Sequence, residues 1–235
     1  FRMHWLLFSE IIEKEIKAQP ILDVLEVGCG RGSMSSYFSE NGHNCSLIDI
    51  SKKAIEIAKS VFERNNHSGK FYIGDAENLQ FKKDTFDVVF SIGLLEHFTD
   101  PRKTMQEQFR VLRKGGIWFG YIVPKYTDNI QKDYNWINDI LKGYSNKSNE
   151  NTAKDDVFRS DNDSKYYIDI LKNFNLSKLK SFGTYPLPMI SHSIEFPFSL
   201  MPEKSEISLV EKFVNDLKKR KQKTGKNPWI CQEGY

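Results

Sequence analysis

The chain has 235 residues, of which 39% are hydrophobic and 28% charged, with a formal net charge of +3. That length can bury a substantial core and fits one α/β domain with insertions. The nearly balanced charge forces neither a nucleic-acid nor a membrane partner, and no apolar run approaches the roughly 20 residues of a membrane span. Three widely separated cysteines, at 29, 45 and 231, argue against a disulfide framework or a zinc cluster and read as thiols of a reducing, cytoplasmic compartment.

Residues His4 to Ala18 carry Trp5, Phe8, Ile11, Ile12 and Ile16 at helical spacing until Pro20 stops the run. Ile21 to Val27 is the first strand, and Ser33 opens the next helix. Cys45 to Ile50 forms the second strand, and Ser51 is placed to cap a helix holding Ala54, Ile57, Ala58 and Val61. Phe71 to Gly74 and Phe86 to Ile92 are the third and fourth strands. Thr99-Asp100-Pro101 starts a helix that ends before Gly115-Gly116, and Ile117 to Val123 is the fifth strand. Strand and helix patterns in alternation predict parallel βαβ units.

After Pro124 the character changes. Tyr134 to Leu141 reads as a short helix, and 143–163, rich in Asn, Ser, Asp and Lys, as a mobile loop. Tyr166 to Phe174 is expected as the last core helix, with Leu176 to Tyr185 and Asn227 to Tyr235 as sixth and seventh strands. The stretch Pro186 to Lys226 between them is long for a link between neighbouring strands and is expected to form a substrate lid. Its basic end, Lys218 to Lys226, reads as a solvated helix terminus, with RNA phosphates or an acidic lipid surface as the alternative partners.

The chemistry concentrates in Val24-Leu25-Glu26-Val27-Gly28-Cys29-Gly30-Arg31-Gly32. A buried strand that stops in a glycine turn lets a cofactor lie against bare peptide groups. The spacing is G-x-G-x-G with Ser at 33, whereas a dinucleotide fingerprint needs G-x-G-x-x-G so that pyrophosphate sits on the helix start. Glu26 beside the turn suits a cationic ligand better than pyrophosphate. Asp49, closing the second strand, adds a second carboxylate.

These segments, with Gly74-Asp75-Ala76-Glu77-Asn78-Leu79 and the strands at Phe86 to Phe98 and Val111 to Pro124, resemble the class I S-adenosylmethionine-dependent methyltransferases of the methyltransferase-11 type. The likeness covers residues 20–125. It implies a Rossmann-like α/β fold: a seven-stranded, mostly parallel sheet with helices on both faces, an antiparallel last strand and lid insertions. It also implies a single domain over 1–235, with an N-terminal helix at 1–19, the cofactor core at 20–125, a variable segment at 126–165 and the lid at 186–226.

The resemblance further implies site roles. Gly28, Cys29 and Gly30 would face the methionine part of S-adenosyl-L-methionine, with Glu26 holding its ammonium directly or through water. Asp49 would accept both ribose hydroxyls, Ile50 would pack on adenine, and Asp75 and the Ala76 amide would bond the ring. Ser91 would offer its carbonyl to the ammonium. The product would be S-adenosyl-L-homocysteine.

Two histidines are candidate general bases. His97 follows the fourth strand, which in open α/β sheets leads into the ligand crevice; the competing reading has it bonding the loop beneath the cofactor. His192, among Phe196, Phe198 and prolines, is the second candidate, with a structural lid histidine as its alternative. Some relatives hold a divalent metal through Glu-x-x-Glu-His, but position 93 is Gly here, so no metal is expected. The activity so read is methyl transfer to a small-molecule acceptor. RNA or protein methylation and non-catalytic cofactor binding are the alternatives, and a basic, aromatic-lined nucleic-acid groove is not visible.

Overall fold

The computed structural model describes residues 2–16, 20–123, 158–181, 183–184, 215, 218–219, 222–223 and 230–231. The chain divides into two compact units, one formed by Phe1–Pro124 with Phe158–Ser160, the other by Lys125–Val157 with Asp161–Tyr235.

The first unit runs α1 (Arg2–Glu15), β1 (Asp23–Val27), α2 (Ser33–Glu40), β2 (Asn44–Asp49), α3 (Lys52–Arg64), β3 (Lys70–Ile73), β4 (Phe86–Ile92), a 3-10 turn (Leu95–His97), α4 (Arg102–Val111) and β5 (Leu112–Tyr121). Its sheet is parallel, in the order β3-β2-β1-β4-β5. The strand order reverses between β1 and β4, and such a switch point opens a crevice at the carboxyl ends of the strands. The glycine turn leaves β1 at that crevice.

Alternating side chains divide the core into two layers. On one face Phe8 and Ile12 of α1, Met34 and Phe38 of α2, and Ile55, Ala58 and Phe62 of α3 bury Val24, Cys45, Leu47, Val88 and Phe90. Trp5 joins this layer with its ring centroid 4.8 Å from that of Phe38, a packing role. On the other face Leu25, Val27, Ile48 and Val89 pack with Leu79, Phe86 and Val111. α3 is the most sharply two-sided helix, and the Ser51 hydroxyl caps it by accepting from the Ala54 amide at 3.3 Å.

At the amino ends of the strands Arg113 bonds Asp87 at 2.8 Å and Asp23 at 2.9 Å, which ties β1, β4 and β5 together. This clamp explains a departure from the expected boundaries. The helix before β5 stops at Val111 rather than running on to Gly115. Leu112 pairs with Phe86, the register then shifts, and pairing resumes at Val88 with Ile117. Gly115, at φ 78°, lies within the four residues looped out by that shift.

The second unit contains α5 (Ser164–Leu171), N-capped by Asp163, whose side chain accepts from the Tyr166 amide. It also contains β6 (Gly183–Thr184) and β7 (Ile230–Cys231), paired antiparallel. They fall within the stretches expected as sixth and seventh strands, 176–185 and 227–235, of which residues 182, 185, 227–229 and 232–235 lie outside the described residues. Among the described residues they form a two-stranded sheet of their own, and the main sheet has five strands. The helix expected at 134–141, the loop at 143–157 and most of 186–226, His192 included, lie outside the described residues. No helix among the described residues is long and apolar enough to cross a membrane.

Candidate functional site

Between β1 and α2 the backbone folds back on itself. Gly28, Gly30 and Gly32 have φ of 69°, 51° and 67°, a left-handed conformation that L side chains rarely adopt. Gly28 and Cys29 both donate their amides to the Ile48 carbonyl, at 2.9 and 3.1 Å. Those two amides therefore fasten the turn to β2. The Gly30 amide instead donates to Asp49 Oδ2 at 2.9 Å.

The three glycines meet different surroundings. A Cβ on Gly28 would lie 2.7 Å from Leu94 Cδ1, and one on Gly32 2.5 Å from Leu47 Cδ2; one on Gly30 would meet nothing within 4 Å. Open space stands over Gly30 alone, beside the Asp49 carboxylate.

Asp49 closes β2 with both oxygens engaged, Oδ2 by Gly30 and Oδ1 by the Ser51 amide at 2.9 Å. Each carboxylate oxygen accepts more than one hydrogen bond, so acceptor capacity remains. Ile50 follows, 75% exposed, a large apolar side chain left uncovered at the carboxyl end of the sheet.

Glu26 lies one residue before the end of β1 and is buried. Its Oε2 accepts from the Ser35 amide at 3.1 Å and the Ser35 hydroxyl at 2.5 Å, which binds the strand to the first turn of α2. Burial pushes its pKa up to about 7 against the pull of those two bonds. Burial raises the pKa of the neighbouring thiols, Cys29 strongly and Cys45 to about 12.

The turn after β3 carries Asp75 and Ala76. Asp75 is exposed, and its Oδ1 accepts from the Glu77 amide at 2.8 Å. Two residues of α4 that the sequence reading passed over hold this loop. Glu107 accepts from the Leu79 amide at 2.8 Å, and Arg110 donates to the Leu79 and Phe81 carbonyls, each at 2.8 Å. Their only sequence signal is an i,i+3 acid–base pair on a helix, which ordinarily reads as a solvated surface bridge.

β4 delivers the remaining candidates. Ser91 is buried, and its Oγ has no hydrogen-bond partner among the described residues. Past Ile92 the chain turns at Gly93, whose amide donates to the Tyr121 carbonyl at 2.9 Å. His97 then donates from ring Nδ1 to the Phe158 carbonyl at 2.7 Å. A carbonyl can only accept, so a proton sits on Nδ1, and in the neutral ring the lone pair is then on Nε2. The ring thus bonds the backbone at Phe158 through Nδ1.

A separate cavity of about 460 Å³, lined by residues including Ser46, Lys70, Tyr72, Phe81 and Arg113, lies at the amino ends of the strands. It sits at the opposite end of the sheet from the glycine turn, and its guanidinium is committed to Asp23 and Asp87.

Residues 25–119 match the family described as "Methyltransferase domain". The same core is similar to the uncharacterized methyltransferase YcgJ of Bacillus subtilis, 35% identical over 94 residues, which are 40% of this chain and 37% of that protein. It is also similar to the ubiquinone biosynthesis O-methyltransferase of Pelagibacter ubique, 34% identical over 98 residues, 42% of this chain and 40% of that one. The chain thus spans about two fifths of the length of these curated relatives. The crystal structure of YcgJ superposes with a TM-score of 0.51 at 23% identity, covering 72% of this chain and 67% of that one, which shows a shared fold. Over residues 25–119 these likenesses support a class I S-adenosylmethionine-dependent methyltransferase core. For that family's cofactor the geometry fits: open space over a bare glycine, a carboxylate with spare acceptor capacity beside it, and an exposed apolar side chain next in sequence.

Proposed function

We propose that this protein transfers a methyl group from S-adenosyl-L-methionine to a small-molecule acceptor. The observation that carries the reading is the Gly30–Asp49 hydrogen bond across the carboxyl ends of β1 and β2, with open space over Gly30. The bound cofactor supplies an electrophilic methyl group on a sulfonium, so the chain's own residues have chiefly to bind, align and exclude water.

Asp49 accepts the ribose hydroxyls and Ile50 covers one face of the adenine. Asp75 and the Ala76 amide bond its edge, held in place by Glu107 and Arg110. Gly30 and its neighbours leave the methionine part room, with Glu26 behind them as a compensating negative charge and Ser91 at the end of β4. His97 takes the proton of a protonated acceptor at Nε2, and His192 is the second candidate for that role. The segment 186–226 is the proposed substrate lid. The name of the Pelagibacter relative supports a small-molecule acceptor.

The test is a screen of metabolite extracts with isotopically labelled S-adenosylmethionine, with mass identification of the labelled product. Label found in RNA or protein and absent from small molecules would overturn the acceptor class. Failure of S-adenosylhomocysteine to bind would overturn the reading as a whole.

A further inference from the structure

Just past β4 one residue, Glu96, joins three stretches of chain, by its buried carboxylate on one side and its backbone carbonyl on the other. Glu96 is 0% exposed. Its Oε1 accepts from the Val123 amide at 3.2 Å, where β5 has run out, and its carbonyl accepts from the Ser160 amide at 2.7 Å. The adjacent His97 ring reaches the Phe158 carbonyl from the same turn. The core chain therefore leaves and returns at this one residue.

The arrangement is costly for a residue that only fills space. Glu96 Oε2 is buried with no hydrogen-bond partner among the described residues, and burial pushes the carboxyl pKa up against the pull of His97 and Arg159. A leucine would occupy similar volume without that penalty. What leucine cannot do is accept the Val123 amide and so set the orientation of the turn that presents His97.

We infer that Glu96 is the positioning residue of this site: by holding Val123 on one side and Phe158–Ser160 on the other, it keeps the His97 imidazole with its proton on Nδ1 and its lone pair on Nε2. Its consequence for turnover rests on the methyltransferase reading above. The tautomer itself does not.

The experiment is 15N NMR of the histidine rings in the full chain, with and without S-adenosylhomocysteine. The wild-type His97 should show the Nδ1–H tautomer, and Glu96→Gln, which keeps an acceptor oxygen, should retain it. Glu96→Leu should convert His97 to a mixture of tautomers. It should also lower methyl transfer to metabolite extract by about tenfold or more, with affinity for S-adenosylhomocysteine kept within about threefold. Should Glu96→Leu fail to fold, Ser160→Pro removes the amide hydrogen given to the Glu96 carbonyl, besides constraining the backbone at 159 and 160, and should release His97 in the same way, while Ser160→Ala, which controls for the hydroxyl, should not. A wild-type ring protonated on Nε2, or a folded Glu96→Leu with the wild-type tautomer, overturns the proposal. If the wild type fails to bind S-adenosylhomocysteine, the methyltransferase reading falls while the His97 spectrum still reports on Glu96.

Discussion

The Gly30 amide donates to Asp49 Oδ2 at 2.9 Å, joining the turn after β1 to the end of β2. Because Asp49 Oδ1 also accepts from Ser51, one carboxylate fixes the glycine turn and the start of α3 at once. Its position is set before any ligand arrives, and a preorganised acceptor loses less on binding.

Asp49→Ala is therefore expected to have two effects. Losing charged hydrogen bonds to the ribose should weaken S-adenosylhomocysteine by about 1.5 to 3 kcal/mol, roughly ten- to hundredfold. Leaving the Gly30 and Ser51 amides without their acceptor should also lower the unfolding free energy by about 1 kcal/mol or more. Calorimetry and denaturant melts on the same protein check both, and unchanged affinity in the folded variant would defeat the ribose assignment.

Two neighbouring glycines should separate packing from binding. In Gly28→Ala the new methyl meets Leu94 at 2.7 Å as well as adopting a positive φ, so the loss should appear mainly as stability, about 1 to 3 kcal/mol. Gly28→Ala with Leu94→Ala should recover the steric part only. Gly30→Ala places its methyl in open space at φ 51°. Its stability should drop by only about 1 to 2 kcal/mol, while cofactor affinity falls more than in Gly28→Ala. The reverse ranking would mean that the open space over Gly30 is not where the ligand lies.

These residues were legible because each is chosen by local physics. Glycine at 28, 30 and 32 answers to a backbone that turns left-handed at all three, Ser51 caps the helix it precedes, and β4 spans the Phe86–Ile92 of its apolar run. What was illegible is tertiary. Nothing local ends α4 at Val111, since the shift that pairs Leu112 with Phe86 is set by the sheet and by Arg113 reaching Asp23 and Asp87. Glu107 and Arg110 read as a surface pair until the loop at Leu79 and Phe81 lies on them. Glu96 carries no local signal of burial, and only the fold buries it.

Glu26 gives the site a pH dependence whose sign can be worked out. Burial raises its pKa from 4.5 to about 7, so the folded state holds a proton that the unfolded chain has lost across that interval. Its contribution to stability is full below about pH 4.5 and falls as pH rises to about 7, by on the order of 3 kcal/mol. Glu26→Gln keeps an oxygen for Ser35 and has nothing to titrate. The stability difference between the variant and the wild type should therefore grow in the variant's favour from pH 5 to pH 8. A difference that stays flat in denaturant melts would show that Glu26 ionises normally. In the wild type, S-adenosylmethionine should release a proton on binding near pH 6.5 if its ammonium meets this carboxylate, which calorimetry in buffers of different ionisation enthalpy reads directly.

His97 can be split into its two roles by choosing which ring nitrogen the replacement mimics. Asparagine places an amide N–H near the position of Nδ1, so His97→Asn should keep the bond to the Phe158 carbonyl while removing the basic Nε2. Stability and S-adenosylhomocysteine affinity should then stay close to wild type. Turnover of an acceptor that is protonated near neutral pH should fall by about 10² to 10⁴, the usual contribution of a general base. His97→Gln places its amide near Nε2 and gives up the bond to Phe158, so it should lose stability as well as turnover. An acceptor already carrying a free lone pair at neutral pH needs no base, and its methylation should respond little to His97→Asn. Near-normal turnover of a protonated acceptor by His97→Asn would leave the Phe158 bond as the whole function of the residue.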